Sequence, residues 1–183
     1  MKNKTLFLLF TLITALFLSC NPDDDDPSPV LPVEVDNQFK IGSTVYELDT
    51  GFRSASFPDN PGLFVTTVFL VDDGLSLDVA SSQLVGTGNI IGLEFYTSGN
   101  NGLQAGVYNL DNVNDQPQTV TAYIGLDYNA QTDTAAVEDD VFQGSITVEA
   151  LENGRFKISG QGRADDANAT FTLSYTGDLL LSN

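Results

Sequence analysis

The sequence predicts an all-β fold, either a single antiparallel β-sandwich or a closed β-barrel-like domain. Three observations predict it. Apolar residues recur with period two through most of residues 37–183, clusters of turn formers divide these runs at short intervals, and no segment sustains a helical period. About nine short strands separated in this way fit a sandwich or a barrel, and alternation does not choose between them.

The first strands are expected at residues 44–48 and 52–57, followed across Pro58-Asp59-Asn60-Pro61-Gly62 by 63–71. The 63–71 run is apolar at both parities, so it belongs at the centre with both faces covered. Beyond Asp72-Asp73-Gly74, residues 75–84 can hold a helical turn, and 89–97 reads as a strand ending at Ser98-Gly99-Asn100-Asn101-Gly102. Strands at 105–110 and 119–127 come next, and 132–139 is a second stretch able to hold a helical turn. Residues 145–150 and 155–159 alternate on either side of Glu152-Asn153-Gly154, a hairpin signal. In the last strand, 170–176, Phe171, Leu173 and Tyr175 face inward and the intervening hydroxyls face water.

Ahead of this domain the composition changes twice. Lys2 and Lys4 precede an apolar run, residues 6–18, that ends at the only cysteine, Cys20. The run is shorter than the roughly 20 apolar residues of a bilayer span, and a charged start before it is a secretory signal's layout. With Leu18 and Ser19 before Cys20, the segment resembles a bacterial lipoprotein signal, although Phe17 stands where an aliphatic residue is more usual. The resemblance implies that residues 1–19 are removed and that Cys20 is lipidated. A lone cysteine can also be a core thiol or half of an intermolecular disulfide, but a thiol closing a signal's apolar run has no core to enter.

Residues 20–36 then form a tether. Four prolines and six acids follow Cys20, a composition that removes backbone donors, repels itself and stays extended. The run Asp23, Asp24, Asp25 and Asp26 is similar to the surface-export signal of Bacteroidota lipoproteins, while a plain solvated spacer accounts for the same residues. The resemblance implies a protein held at the outer membrane and cell surface through its lipid. Acyl chains contribute about 0.8 kcal/mol per buried methylene, so more than one chain makes a durable anchor.

Charge and missing residue types narrow the chemistry. The chain carries 7 basic and 25 acidic residues, a balance that repels nucleic acid and keeps the domain soluble. It has no histidine, and Cys20 is assigned to lipid. A Ser-His-Asp triad, a Cys-His pair and an ordinary zinc site are therefore excluded. Gly86-Thr87-Gly88 lacks the lysine and the strand-to-helix unit of a phosphate loop. A carboxylate-pair glycosidase needs only two facing acids, and Glu47, Glu94, Glu138, Glu149 and Glu152 are the glutamates on hand.

Two constellations offer sites. Asp127, Asn129, Gln131, Asp133 and Glu138 occupy positions 1, 3, 5, 7 and 12 of an EF-hand-like loop and present the oxygen ligands calcium takes. Thr132 replaces the usual glycine, no helix flanks the loop, and a polar hairpin supplies the same spacing. Asp133-Thr134-Ala135 also resembles the short O-glycosylation signal of Bacteroidota exported proteins. The second constellation follows from parity. If Ile91, Leu93 and Phe95 face the core, Glu94 and Tyr96 face out, and the same rule turns Tyr123 outward. Exposed tyrosines beside a carboxylate can stack on sugar rings and bond their hydroxyls, or can pack beneath a loop.

The expectation is an outer-membrane-anchored lipoprotein with a non-enzymatic extracellular β domain that binds carbohydrate or another external ligand. A structural or adhesive envelope protein is the alternative, and a glycosidase a lesser one. A closed barrel would add a container for an apolar molecule.

Overall fold

The computed structural model describes residues 37–112 and 116–182, so the signal, Cys20 and the tether lie outside the described residues. Thirteen strands form among those residues. They are β1 (Gln38–Ile41), β2 (Thr44–Glu47), β3 (Thr50–Ser54), β4 (Phe57–Asn60), β5 (Leu63–Val71), β6 (Leu75–Asp78) and β7 (Gln83–Thr97). Then come β8 (Gly106–Leu110), β9 (Thr119–Asn129), β10 (Val137–Ala150), β11 (Phe156–Ala164), β12 (Ala169–Gly177) and β13 (Leu179–Ser182). The domain is all-β, as its alternation predicts.

The strands make one curled sheet in the order β13-β3-β5-β7-β9-β8-β10-β11-β12-β1-β2, with β4 added to β5 and β6 added to β7. The path is open. It is also mixed where a purely antiparallel sheet is expected, because β13 runs parallel to β3 and β8 parallel to β9. The second parallel pair has a visible cause. Strand β10 pairs with β9 through residues 137–141, bulges between Phe142 and Ser145, and continues against β8. The short β8 thus fills the gap where β9 and β10 diverge. Within the bulge Gln143 has φ +54°, and a side chain on Gly144 would begin 1.9 Å from the Gln161 carbonyl oxygen, so only glycine fits.

The inner face of the curl is packed with side chains. Phe39, Val68, Leu70, Ile91, Leu93, Phe95, Val120, Ile124, Ile146, Ile158 and Phe171 are buried in one apolar cluster. Leu173 and Tyr175 join it, as their parity predicts. Phe95 meets Tyr108 edge-on at 4.9 Å, and Tyr46 closes over Phe39 in a stack at 4.7 Å. Full burial of such a side chain stabilises by about 1.5–3 kcal/mol, so this cluster carries the fold.

Two joins bring the ends of the sheet near one another. Only Leu48 and Asp49 separate β2 from β3, and only Asp178 separates β12 from β13. Leu48 N–H donates to the Asn37 carbonyl at 2.8 Å, and Asp49 N–H donates to the Val71 carbonyl at 2.7 Å. Asn37 in turn brackets Thr176, its side chain accepting from the Thr176 N–H at 2.7 Å.

Three local expectations are corrected. Residues 75–84 form β6, a turn and the start of β7 rather than a helical turn, because Leu75, Leu77 and Leu84 bury on one side of a hairpin. Residues 132–139 close a hairpin and begin β10. The strand expected at 52–57 breaks into β3 and β4, which both pair with β5. The central place predicted for β5 holds, with β3 and β7 on its two sides.

Candidate functional site

The outer face of the sheet is covered at one end by a second layer. Gln83 to Gly86 of β7 pair with β6, and this hairpin buries Leu75 against Phe52, Val71 and Ile90. Phe69, Leu77, Leu84, Tyr128 and Ala130 pack around them. Asp72 fixes the base of the hairpin. Its Oδ1 accepts from the Gly74 N–H at 3.1 Å, and its Oδ2 accepts from the backbone and side-chain N–H groups of Asn89, both at 2.8 Å. Asn89 Oδ1 then accepts from the Asp127 N–H at 3.3 Å, tying the hairpin to the end of β9.

Two clefts open beside this layer. The first, of about 650 Å³, runs between the hairpin and the sheet and is walled by Phe52, Phe69, Leu77, Leu84, Tyr128 and Ala130. Ser82, Gln83, Gln131, Asp133 and Ser182 supply its polar groups. The second, of about 530 Å³, is walled by Tyr123, Tyr128 and the carboxylates of Asp133, Glu138, Asp139, Asp140, Asp165 and Asp166. Tyr128 and Asp133 line both. The Tyr128 hydroxyl donates to Asp133 Oδ1 at 2.8 Å, so the two residues form a single polar ridge between the clefts.

The electrostatics make the second cleft a set of acceptors beside protonated phenols. Burial, reinforced by the Asp133 hydrogen bond and charge, pushes the Tyr128 phenol up to about 12. Burial, then the charges of Glu94 and Asp133, pushes Tyr123 up as well. Both hydroxyls stay protonated across the physiological range. Asp140 is held above the usual carboxylate range by burial, then by the charges of Asp139, Asp165 and Asp166. Asp139 is committed to structure, since its two oxygens accept from the backbone N–H groups of Asp166 at 2.9 Å and Ala167 at 3.0 Å.

The residues singled out by parity divide. Glu94, Tyr96 and Tyr123 do lie on the outer face, where Tyr123 pairs with Gly92 and Glu94 with Thr121. Tyr96 is only 6% exposed, packed with Leu63 and Val65, and its hydroxyl bonds Glu94 Oε2 at 3.2 Å. It is not a stacking surface. Alternation predicts the face correctly but not the apolar neighbours that cover it. Tyr123 remains, half-buried, as a wall of the second cleft.

The calcium-like set is scattered by the hairpin between β9 and β10. Asn129 Oδ1 accepts from the N–H groups of Gln131 at 2.9 Å and Thr132 at 3.3 Å, closing the turn. Asp133 serves Tyr128, the Asp127 N–H bonds Asn89, and Glu138 sits on β10 opposite Gly125. Among the described residues no group of three or more His, Cys, Asp or Glu is placed to hold a metal ion. Of the glutamates weighed for catalysis, Glu149 forms an ion pair with Lys157 at 2.8 Å.

Phe52, Phe69, Leu77, Leu84, Tyr128 and Asp140 are among the lining residues that parity and spacing do not single out. A signal for them exists in the two-faced apolarity of β5. A strand whose two faces are both apolar implies a second layer, and clefts form at the margin of a layer that covers only part of a sheet. Comparison with protein-family models, curated proteins and solved structures finds no match for this chain.

Proposed function

We propose that the chain is a lipid-anchored protein of the outer membrane's external face, with Cys20 as the anchor, residues 21–36 as the tether and the β domain as a non-enzymatic binding module. Its ligand is carbohydrate. The observation that carries this reading is the meeting of two clefts at the Tyr128–Asp133 pair, where aromatic faces stand beside acceptor-only carboxylates. Carboxylates accept hydrogen bonds and donate none, so the ligand must bring donors, and sugar hydroxyls beside a ring that stacks on tyrosine meet that requirement.

We also read the sheet as a barrel completed through its own chain. Strands β2 and β3 follow one another across two residues, and β12 and β13 across one. Leu48 and Leu179, at these joins, belong to the same buried cluster. On this reading β8 is a wedge between the two long strands β9 and β10. The interior is filled by side chains, which argues against a container and puts binding on the outer wall.

Glycan-array screening of the purified full-length protein, followed by chromatography of each hit after prolonged incubation, tests the reading. Binding with the glycan recovered intact is expected. An array without a hit would favour the structural or adhesive role, and release of new reducing ends would establish a glycosidase.

A further inference from the structure

We infer that the glycan is one that carries a neutral aryl group, and that the cleft beneath the β6–β7 hairpin is the seat of that group; the inference rests on the carbohydrate reading above. The two clefts have opposite chemistry and share a wall. On one side of the Tyr128–Asp133 ridge lie carboxylate acceptors, and on the other lie the rings of Phe52 and Phe69 with Leu77 and Leu84 above them. A sugar alone satisfies only the first side. It leaves the ring-walled part of a cleft of about 650 Å³ in contact with water.

An aryl group fits the second side on three grounds. Phenylalanine and tyrosine walls favour another ring through offset or edge-on contact, which contributes more than equal aliphatic area. The cleft's polar groups are Ser82, Gln83, Gln131, Ser182 and the Asp133 carboxylate, with no lysine or arginine among the lining residues, so an anionic ring is disfavoured and a neutral one accepted. The two clefts share Tyr128 and Asp133 as a common wall, so a ligand that carries its ring directly on the sugar matches the pair of neighbouring sites.

The test compares matched methyl and phenyl β-glycosides of glucose, galactose, mannose and xylose on the purified full-length protein by titration calorimetry. At least one phenyl glycoside is expected to bind about tenfold tighter than its methyl partner, the gain from burying a ring. Ala130→Trp, which fills this cleft, is expected to reduce the phenyl glycoside's affinity to that of its methyl partner. In the wild type, intermolecular NOEs from the phenyl protons to Phe69, Leu77 and Leu84 locate the ring whether or not the variant folds. Equal binding of the pair, or NOEs elsewhere, overturns the inference and leaves the carbohydrate reading standing. If no glycoside of either series binds and the array is also empty, both fall. Phenol binding as well as the phenyl glycoside overturns the sugar's part in it.

Discussion

The ring of Tyr123 occupies the space where Gly92 has no side chain. A Cβ at position 92 would stand 2.0–2.4 Å from the ring carbons and hydroxyl of Tyr123, its cross-strand partner on β9. A glycine in a central strand forfeits packing and backbone entropy, and here it admits the tyrosine that walls the second cleft. Gly92→Ala must therefore push the ring outward. The expected outcome is a loss of about 1–3 kcal/mol in urea unfolding, together with weaker glycan binding.

Asp139 supports a different part of the wall. It is 6% exposed and holds the turn between β11 and β12 through two charge-assisted hydrogen bonds. Asp139→Ala leaves both N–H groups without their acceptor and should destabilise by about 2–3 kcal/mol, measured by urea unfolding. Asp139→Asn keeps one acceptor and should lose less. Equal losses in the two variants would mean that packing, not the hydrogen bonds, is what the residue contributes.

Asp140 pairs across strands with Tyr123 and sits among Asp139, Asp165 and Asp166. Its folded-state pKa is raised from 3.8, mainly by burial. Between 3.8 and the raised value the folded protein holds the proton more tightly than the unfolded chain, so stability falls as pH rises through that window. The ionised carboxylate is thus a liability at neutral pH. Asp140→Asn should melt at a higher temperature than wild type at pH 7, with the gap closing as pH falls below the ordinary aspartate value and narrowing in high salt. A constant gap at all pH values would refute an electrostatic origin.

The anchor is tested by fractionation. Cys20→Ser should give protein that no longer stays with the outer membrane and that migrates as the unprocessed or unacylated form. Wild type and variant partitioning alike would remove lipidation from the account. Replacing Asp23, Asp24, Asp25 and Asp26 with neutral residues should reduce cleavage by external protease without releasing the protein.

Much of the architecture is legible because period two is a local property. Phe171, Leu173 and Tyr175 alternate in sequence and bury together, and β5 announces its covered faces by being apolar at both parities. The parallel pairs are not legible, since the placement of β8 depends on where two distant strands diverge and that of β13 on an edge supplied by β3. Tyr96 marks the same boundary, its face fixed by parity and its burial by Leu63 and Val65 from another strand. Asn129 and Asp133 resemble calcium ligands for a physical reason: turns and calcium loops both draw on short side chains with acceptor oxygens, and here those oxygens close the turn and hold Tyr128. The first cleft escapes a strand-by-strand reading because four separated segments, near residues 52–69, 77–86 and 128–133 and at Ser182, meet only in the fold.

The account's central claim is that carbohydrate binds at the ridge between the two clefts, and its most direct test is titration calorimetry of the strongest array glycan against wild type, Tyr128→Ala and Asp133→Asn. With folding checked by circular dichroism, each substitution should weaken binding by about 1–2 kcal/mol, the value of one stacking contact or one charged hydrogen bond. Affinities equal to wild type in both variants would contradict the claim and move the site, if there is one, away from Tyr128 and Asp133.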